Sequence, residues 1–319
     1  MRITQSDYSE EYDHFEFEYK QRHRRQRRKK STARAKPVPA EARTQLTNAS
    51  DDVYDFVPSY AAGLDPLHHE RQWLINSVAT FFHDDLITDV TRIVKGGKEA
   101  NVYCCPAGPT TGVELIAAKL YRPRMLRHLR NDALYKEGRL LLDGDGKETK
   151  GDREARAIRR KTRFGKRLDI LNWIMHEFNV HRALYRAGVD VPKPITQRGN
   201  TILMAYIGDD WVAAPTLNEI RLDSSEARPL FERLVENIRL MLINHYIHGD
   251  LSAYNILYWE GQCTIIDFPQ LVDARKNRNA LMLLERDVRR VCQYFARCGV
   301  KSDPGKLVDK LWRGYMSGD

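Results

Sequence analysis

The chain has 319 residues, with 52 Lys+Arg against 43 Asp+Glu and a formal net charge of +9. With 42% hydrophobic and 30% charged residues it can bury a core, which excludes wholesale disorder, and its length fits two ordinary domains or one two-lobed domain with tails. No run approaches the ~18–20 apolar residues of a membrane span, no basic-then-apolar leader opens the chain, and Cys104, Cys105, Cys263, Cys292 and Cys298 form no CxxC pair, so secretion, a disulfide scaffold and a metal finger are not expected and a reducing cytoplasm is.

Residues 1–62 read as a disordered tail, acidic first and then basic. Residues 20–36 hold ten Lys/Arg and no acid, with no apolar periodicity. Such a run repels itself and stays extended. It reads either as an arm that releases counterions from nucleic acid or as a solvated tail. A helix is expected over 69–82, where Trp73, Leu74, Val78, Phe81 and Phe82 recur at helical spacing. Strands follow at 90–95, 101–105 and 113–121, the first two joined at Gly96-Gly97. The charged stretch 122–166 reads as part helix, part mobile. A helix over 168–187 ends at Gly188 with Pro192 beyond. A strand at 201–206, a long amphipathic helix over 229–246 opened by Pro229, a hairpin at 256–266 and further helices complete the chain. A strand-rich half before a helix-rich half predicts an α+β protein with two lobes.

One constellation carries chemistry. His248-Gly249-Asp250-Leu251-Ser252-Ala253-Tyr254-Asn255 forms a polar loop after the long helix. Asn255 opens the hairpin and Asp267 closes it. The ends of an antiparallel pair lie side by side, ~5 Å apart. Two carboxylates and an amide brought together suit a hard cation such as Mg²⁺. The plain alternative is that Asp and Asn merely begin and end turns. Upstream, a Gly turn at Gly96-Gly97-Lys98-Glu99-Ala100-Asn101-Val102-Tyr103 offers backbone N–H groups to phosphate oxygens. Lys119 then sits inside an apolar strand and needs a counter-charge. Glu177 shares a helix face with Trp173 and Ile174 and is the candidate; a snorkelling lysine with an unrelated glutamate is the alternative.

A Gly turn, a strand lysine, a helix glutamate, an HxD…N loop and a post-hairpin aspartate, in that order, are the parts of a protein kinase. The segments GGKEANVY, HGDLSAYNILY and IIDFPQ resemble the RIO family of atypical serine/threonine kinases over about residues 66–300. The first two look most like the first RIO subfamily and the third like the second; residues 1–60 are too polar and basic for the second subfamily's winged-helix domain.

The resemblance implies a two-lobed protein-kinase-like fold, with an N-lobe over about 63–205 and a helical C-lobe over about 206–319. It implies ATP with Mg²⁺, or Mn²⁺ in its place. Lys119 would bind the α/β-phosphates and Glu177 would orient it. Gly96, Gly97, Lys98, Glu99, Ala100, Asn101 and Val102 would cradle phosphate. Met204, Tyr206 and Ile207 would receive adenine, with Ala205 where the family often has an acid. Asp250 would be the catalytic aspartate. Asn255 and Asp267 would hold the metal, and Asp267 would be the candidate phospho-acceptor of an ATPase-like cycle.

The departures also speak. Gly249 replaces the usual arginine, so no charge-paired phosphorylated loop is expected. Pro269 stiffens the point after Asp267, and no peptide-docking platform follows. Asp287 reads as a support for the Asp250 loop or as a surface carboxylate. The basic block at 122–167, densest at Arg153, Arg156, Arg159, Arg160, Lys161 and Arg163, reads as a clamp for ribosomal RNA or an acidic partner, or as a solvated linker. The expected role is a cytoplasmic kinase or ATPase in small-subunit ribosome maturation, acting on an unknown protein acceptor. The alternatives are an RNA-binding assembly factor that uses ATP as a latch and a small-molecule phosphotransferase of the aminoglycoside type.

Overall fold

Strand alternation decides what covers each face of the main sheet. A computed structural model describes residues 56–64, 69–97, 99–122, 158, 160 and 162–318. The expected tail up to residue 55, Lys98 and most of the basic block at 122–167 lie outside the described residues. Two helices come first, α1 (Ser59–Ala62) and α2 (His69–His83). The strands β1 (Arg92–Gly96), β2 (Ala100–Pro106), β3 (Leu115–Tyr121), β4 (Pro194–Arg198) and β5 (Thr201–Ala205) form one antiparallel sheet in the order β1-β2-β3-β5-β4. In β3, Ile116, Ala118 and Leu120 pack with Leu74, Val78 and Phe81 of α2. The alternate residue Tyr121 joins Trp173, Ile174 and Ile202 in a separate cluster on the other face. Period-two geometry puts Lys119 on that second face. Its strand partners are Val102 and Ile202.

The helix α3 (Arg163–Arg186) covers that face. It starts five residues before the expected Leu168, because the Thr162 side chain accepts the N–H of Gly165 at 3.0 Å and caps it there. It ends as a Schellman turn. The N–H of Gly188, with φ of 79°, meets Tyr185 O, and that of Val189 meets Leu184 O.

The helical lobe holds α4 (Ser224–Ile243), α5 (Ala280–Arg297) and α6 (Pro304–Ser317). Two short antiparallel pairs sit among them: β6 (Tyr246–Ile247) with β9 (Val272–Asp273), and β7 (Ile256–Trp259) with β8 (Gln262–Ile265). Leu234, Ile238, Met241, Leu251, Ile265, Leu284 and Val288 belong to one apolar core. That core ties the loop after α4 and the hairpin to α5.

Three further features differ from the sequence reading. The helix α4 does not open at Pro229, which lies inside it; the helix begins at Ser224 and stops at Ile243, before His245 turns to a φ of 67°. Gly96 is the last residue of β1, paired with Asn101, so it belongs to the strand and not to the turn. The strand β4 was not foreseen, since the prolines at 192 and 194 hide it; as an edge strand it tolerates them. All five cysteines are buried and unpaired. No helix among the described residues is long and apolar enough to cross a membrane.

Candidate active site

Lys119 is the hub. Its ammonium lies 2.8 Å from Glu177 Oε1 and 2.7 Å from Asp267 Oδ1. It also sits 5.2 Å from the centre of the Tyr121 ring. Burial alone would pull the lysine down, but Asp267 and Glu177 outweigh it and hold the ammonium well above its ordinary pKa. The two carboxylates differ in setting. The Glu177 side chain is 5% exposed and that of Asp267 is 45% exposed, so the pair to Asp267 is the one open to exchange. At Asp267 burial opposes ionisation, and Lys119 still carries the carboxyl below its usual value. The foreseen lysine–glutamate pair is present; the direct bond to Asp267 was not foreseen.

The hairpin β7–β8 brings its two ends together as the antiparallel geometry requires. The N–H of Ile266 donates to Asn255 O at 3.0 Å, one residue before Asp267. Asp267 has a φ of 71°, the left-handed region. Phe268 behind it packs between His181 and His248, with ring centres 5.3 and 5.4 Å away. The Asn255 side chain donates from Nδ2 to Asp250 O at 3.0 Å, which leaves its Oδ1 as an acceptor.

The Asp250 loop is held from below by α5. The N–H groups of Gly249 and Leu251 donate to Asp287 Oδ2 at 2.7 Å and Oδ1 at 3.0 Å. Asp287 is 2% exposed, so it is the support of this loop and not a surface carboxylate. Burial pushes its carboxyl up to about 7, against the pull of the two N–H groups and of Arg286. Arg286 Nη2 donates to Gly249 O. Arg290 Nη1 bonds Asp250 Oδ1 at 2.8 Å. Sequence reasoning missed both arginines; their spacing around Asp287 on one helix was the available signal.

The other predicted residues divide. Gly97 makes the tight turn before β2: its N–H meets Ala100 O at 3.0 Å, and a Cβ there would lie 2.8 Å from that oxygen. Glu99 shares the electrostatic neighbourhood of the hub, its carboxyl raised by burial and by Asp267 and lowered by Lys119. Val102 pairs with Lys119 across the strands. The Asn101 side chain instead turns inward, fully buried, bonded to Glu70 and Tyr103 at 3.0 Å each and to Arg122 at 2.7 Å. At the link between lobes, Met204 packs against the Tyr121–Trp173 cluster. The N–H of Tyr206 is spent on Leu115 O and the carbonyl of Ile207 on the N–H of Ala214. Arg92 ties the Tyr206 hydroxyl to β1 at 2.7 Å.

The donor set suits a nucleotide with its cation. No group of three or more His, Cys, Asp or Glu among the described residues could hold a metal by itself. Asp267 and the Asn255 oxygen are hard oxygen donors, and a Mg²⁺-like ion takes one or two such groups and fills the rest with waters and phosphates.

A family model described as the RIO domain matches residues 134–307. The chain belongs to the RIO family. It is 31% identical over 230 residues to the RIO-type serine/threonine-protein kinase Rio1 of Haloferax volcanii, covering 71% of this chain and 68% of that one. It is 30% identical over 253 residues to the serine/threonine-protein kinase RIO1 of Chaetomium thermophilum, covering 76% and 45%. Over 139 residues it is 32% identical to Rio1 of Thermoplasma acidophilum, covering 44% and 72%. This RIO protein thus spans about two thirds of the first relative and less than half of the second. It is a serine/threonine protein kinase of the RIO type, with an antiparallel-sheet lobe and a helical lobe. The family brings with it ATP binding and a divalent metal in general terms. The small-molecule phosphotransferase reading gives way to the protein-kinase one.

Proposed function

We propose that this RIO protein, within boundaries near 63–205 for the N-lobe and 206–319 for the C-lobe, transfers the γ-phosphoryl group of ATP at the Lys119–Asp250–Asp267 site, to a serine or threonine of a protein or to water. The observation that carries the reading is Lys119 bonded at once to Glu177 and Asp267 across the two lobes. Glu177, buried, keeps the ammonium aimed; Lys119 holds the α/β-phosphates. Asp267 and Asn255 would hold the cation, which neutralises phosphate charge when bound. Asp250 receives the proton of the attacking hydroxyl. Asp267 is also the candidate phospho-acceptor of an ATPase cycle. The turn at Gly97 with Glu99, Ala100 and Val102 lines the phosphate side while Asn101 stays buried, and the backbone groups of Met204 to Ile207 other than the Tyr206 N–H and the Ile207 carbonyl take the adenine.

We place this activity in the cytoplasm, in the maturation of the small ribosomal subunit, and nearest the first RIO subfamily, in keeping with relatives named Rio1. Ribosomal RNA would meet the basic segments 20–36 and 122–167. Release of ADP in the presence of Mg²⁺ tests the chemistry. Asp250→Ala should slow turnover by about 10²–10⁴-fold, the usual worth of a placed general base. Equal rates for wild type and variant would overturn the assignment.

A further inference from the structure

The backbone of the Asp250 loop is gripped by Asp287 and Arg286, yet that grip does not set the two side-chain torsions of Asp250. Asn255 Nδ2 is 3.5 Å from Asp250 Oδ2, at the outer limit of a hydrogen bond. Arg290 is different. Its Nη1 stands 2.8 Å from Oδ1, a charge-assisted bond of ordinary strong geometry. Arg286 and Arg290 are four residues apart on α5 and Asp287 lies between, so one helical face meets three parts of the same loop: a carbonyl, two N–H groups and a carboxylate.

We propose that Arg290 is a positioning residue for Asp250. By engaging Oδ1 it leaves Oδ2 as the oxygen presented to the acceptor hydroxyl. As the hydroxyl oxygen bonds to the γ-phosphorus, its proton passes to Oδ2, and the bond from phosphorus to the β–γ bridging oxygen breaks with its electron pair leaving on ADP. Arg290 itself gains and loses nothing. The inference rests on the reading of Asp250 as the acceptor-side aspartate. Both partners are 39% exposed, and half-open pairs contribute little to stability. The worth of the contact therefore lies in orientation. A reacting group displaced by about 1 Å can lose about 10²-fold in rate.

The test measures ADP release by the full chain across a range of ATP concentrations, with thermal unfolding alongside. Arg290→Gln should lower kcat by about 10- to 100-fold while the KM for ATP and the unfolding midpoint stay at wild-type values. Arg290→Lys, which can offer a point charge without the planar fork, should recover part of kcat. Wild-type kcat in Arg290→Gln, with Asp250→Ala inactive, overturns the inference alone. A loss of rate matched by a loss of stability in both Arg290 variants also overturns it, because the role would then be structural. Full activity in Asp250→Ala strikes instead the functional reading beneath it.

Discussion

Asp287 is the residue whose setting departs furthest from what its type suggests. It is an acid in the middle of a helix, 2% exposed and pushed from its ordinary 3.8 to about 7 by burial. Between those values the folded chain keeps a proton that the unfolded chain has lost. Its contribution to stability is therefore whole below pH ~4 and declines by up to about 1.4 kcal/mol per pH unit toward pH 7. Two buried histidines act the other way. Burial lowers His181 to about 4 and also lowers His248. Each stays neutral in the fold while the unfolded chain protonates, so their contribution is present above the ordinary 6.5 and lost as pH falls. In the wild type the two slopes offset each other. In Asp287→Asn the opposing slope of the aspartate is gone. Urea unfolding at pH 5, 6 and 7 should show the variant gaining stability with pH more steeply than wild type. Parallel profiles would mean that Asp287 is ionised throughout. The sequence placed Asp287 on the right helix but could not choose its face, because the loop that covers it lies 36 to 38 residues earlier in the chain.

At the scale of elements, the hairpin β7–β8 does the most for the site, since it brings Asn255 and Asp267 to one end. Its other end is a two-residue turn, Glu260 with φ of 48° and Gly261 with φ of 77°, between the paired Trp259 and Gln262. Two positive φ angles make a type I′ turn, which favours Asn-Gly. Glutamate at the first position pays a steric cost there that asparagine largely avoids. Glu260→Asn should raise stability by about 0.5 kcal/mol, or about 1–2 °C in unfolding temperature for a domain of this size, with ADP release unchanged. A fall in unfolding temperature would count against the strained turn. This hairpin was legible in the sequence because β-branched and aromatic runs flank a Glu-Gly turn. The site residues were legible for a related reason: Asn255, Asp267 and Asp250 stand at element ends, where polar residues interrupt apolar runs. Helix starts were harder. Pro229 looks like an opening, yet the chain is already helical from Ser224, and a proline early in a helix sacrifices a single backbone bond. The start of α3 was misplaced because the cap is a lone threonine ahead of a charged stretch. Arg290 and the Lys119–Asp267 bond lay beyond sequence reasoning for a different reason. Each joins residues 40 or more positions apart, across a loop–helix contact or between lobes, and no local pattern encodes such a meeting.

The whole molecule divides by charge. Removing residues 20–36 takes ten Lys/Arg from a chain of 52 Lys+Arg and 43 Asp+Glu, and the remainder has a net charge of −1. The body at 63–319 by itself holds 40 Lys+Arg against 33 Asp+Glu, a net charge of +7 that the acids flanking the arm offset, so arm and body can both attract a polyanion and only removal of the arm separates their shares. If the arm at 20–36 meets RNA phosphates, each contact releases counterions and steepens the dependence of affinity on salt by about 0.7–0.9 in the log–log slope. Ten cations in seventeen positions leave room for several such contacts. A ribosomal-RNA hairpin titrated at a series of salt concentrations should then give a slope for the full chain steeper by about 3 or more than for the chain lacking 20–36, the equivalent of about four phosphates. ADP release without RNA should be the same for both, because the arm contributes no group to the Lys119–Asp250–Asp267 site as proposed. Equal slopes would assign the arm to solvation alone. A slope that stays steep without it would move RNA contact to the second basic block at 122–167.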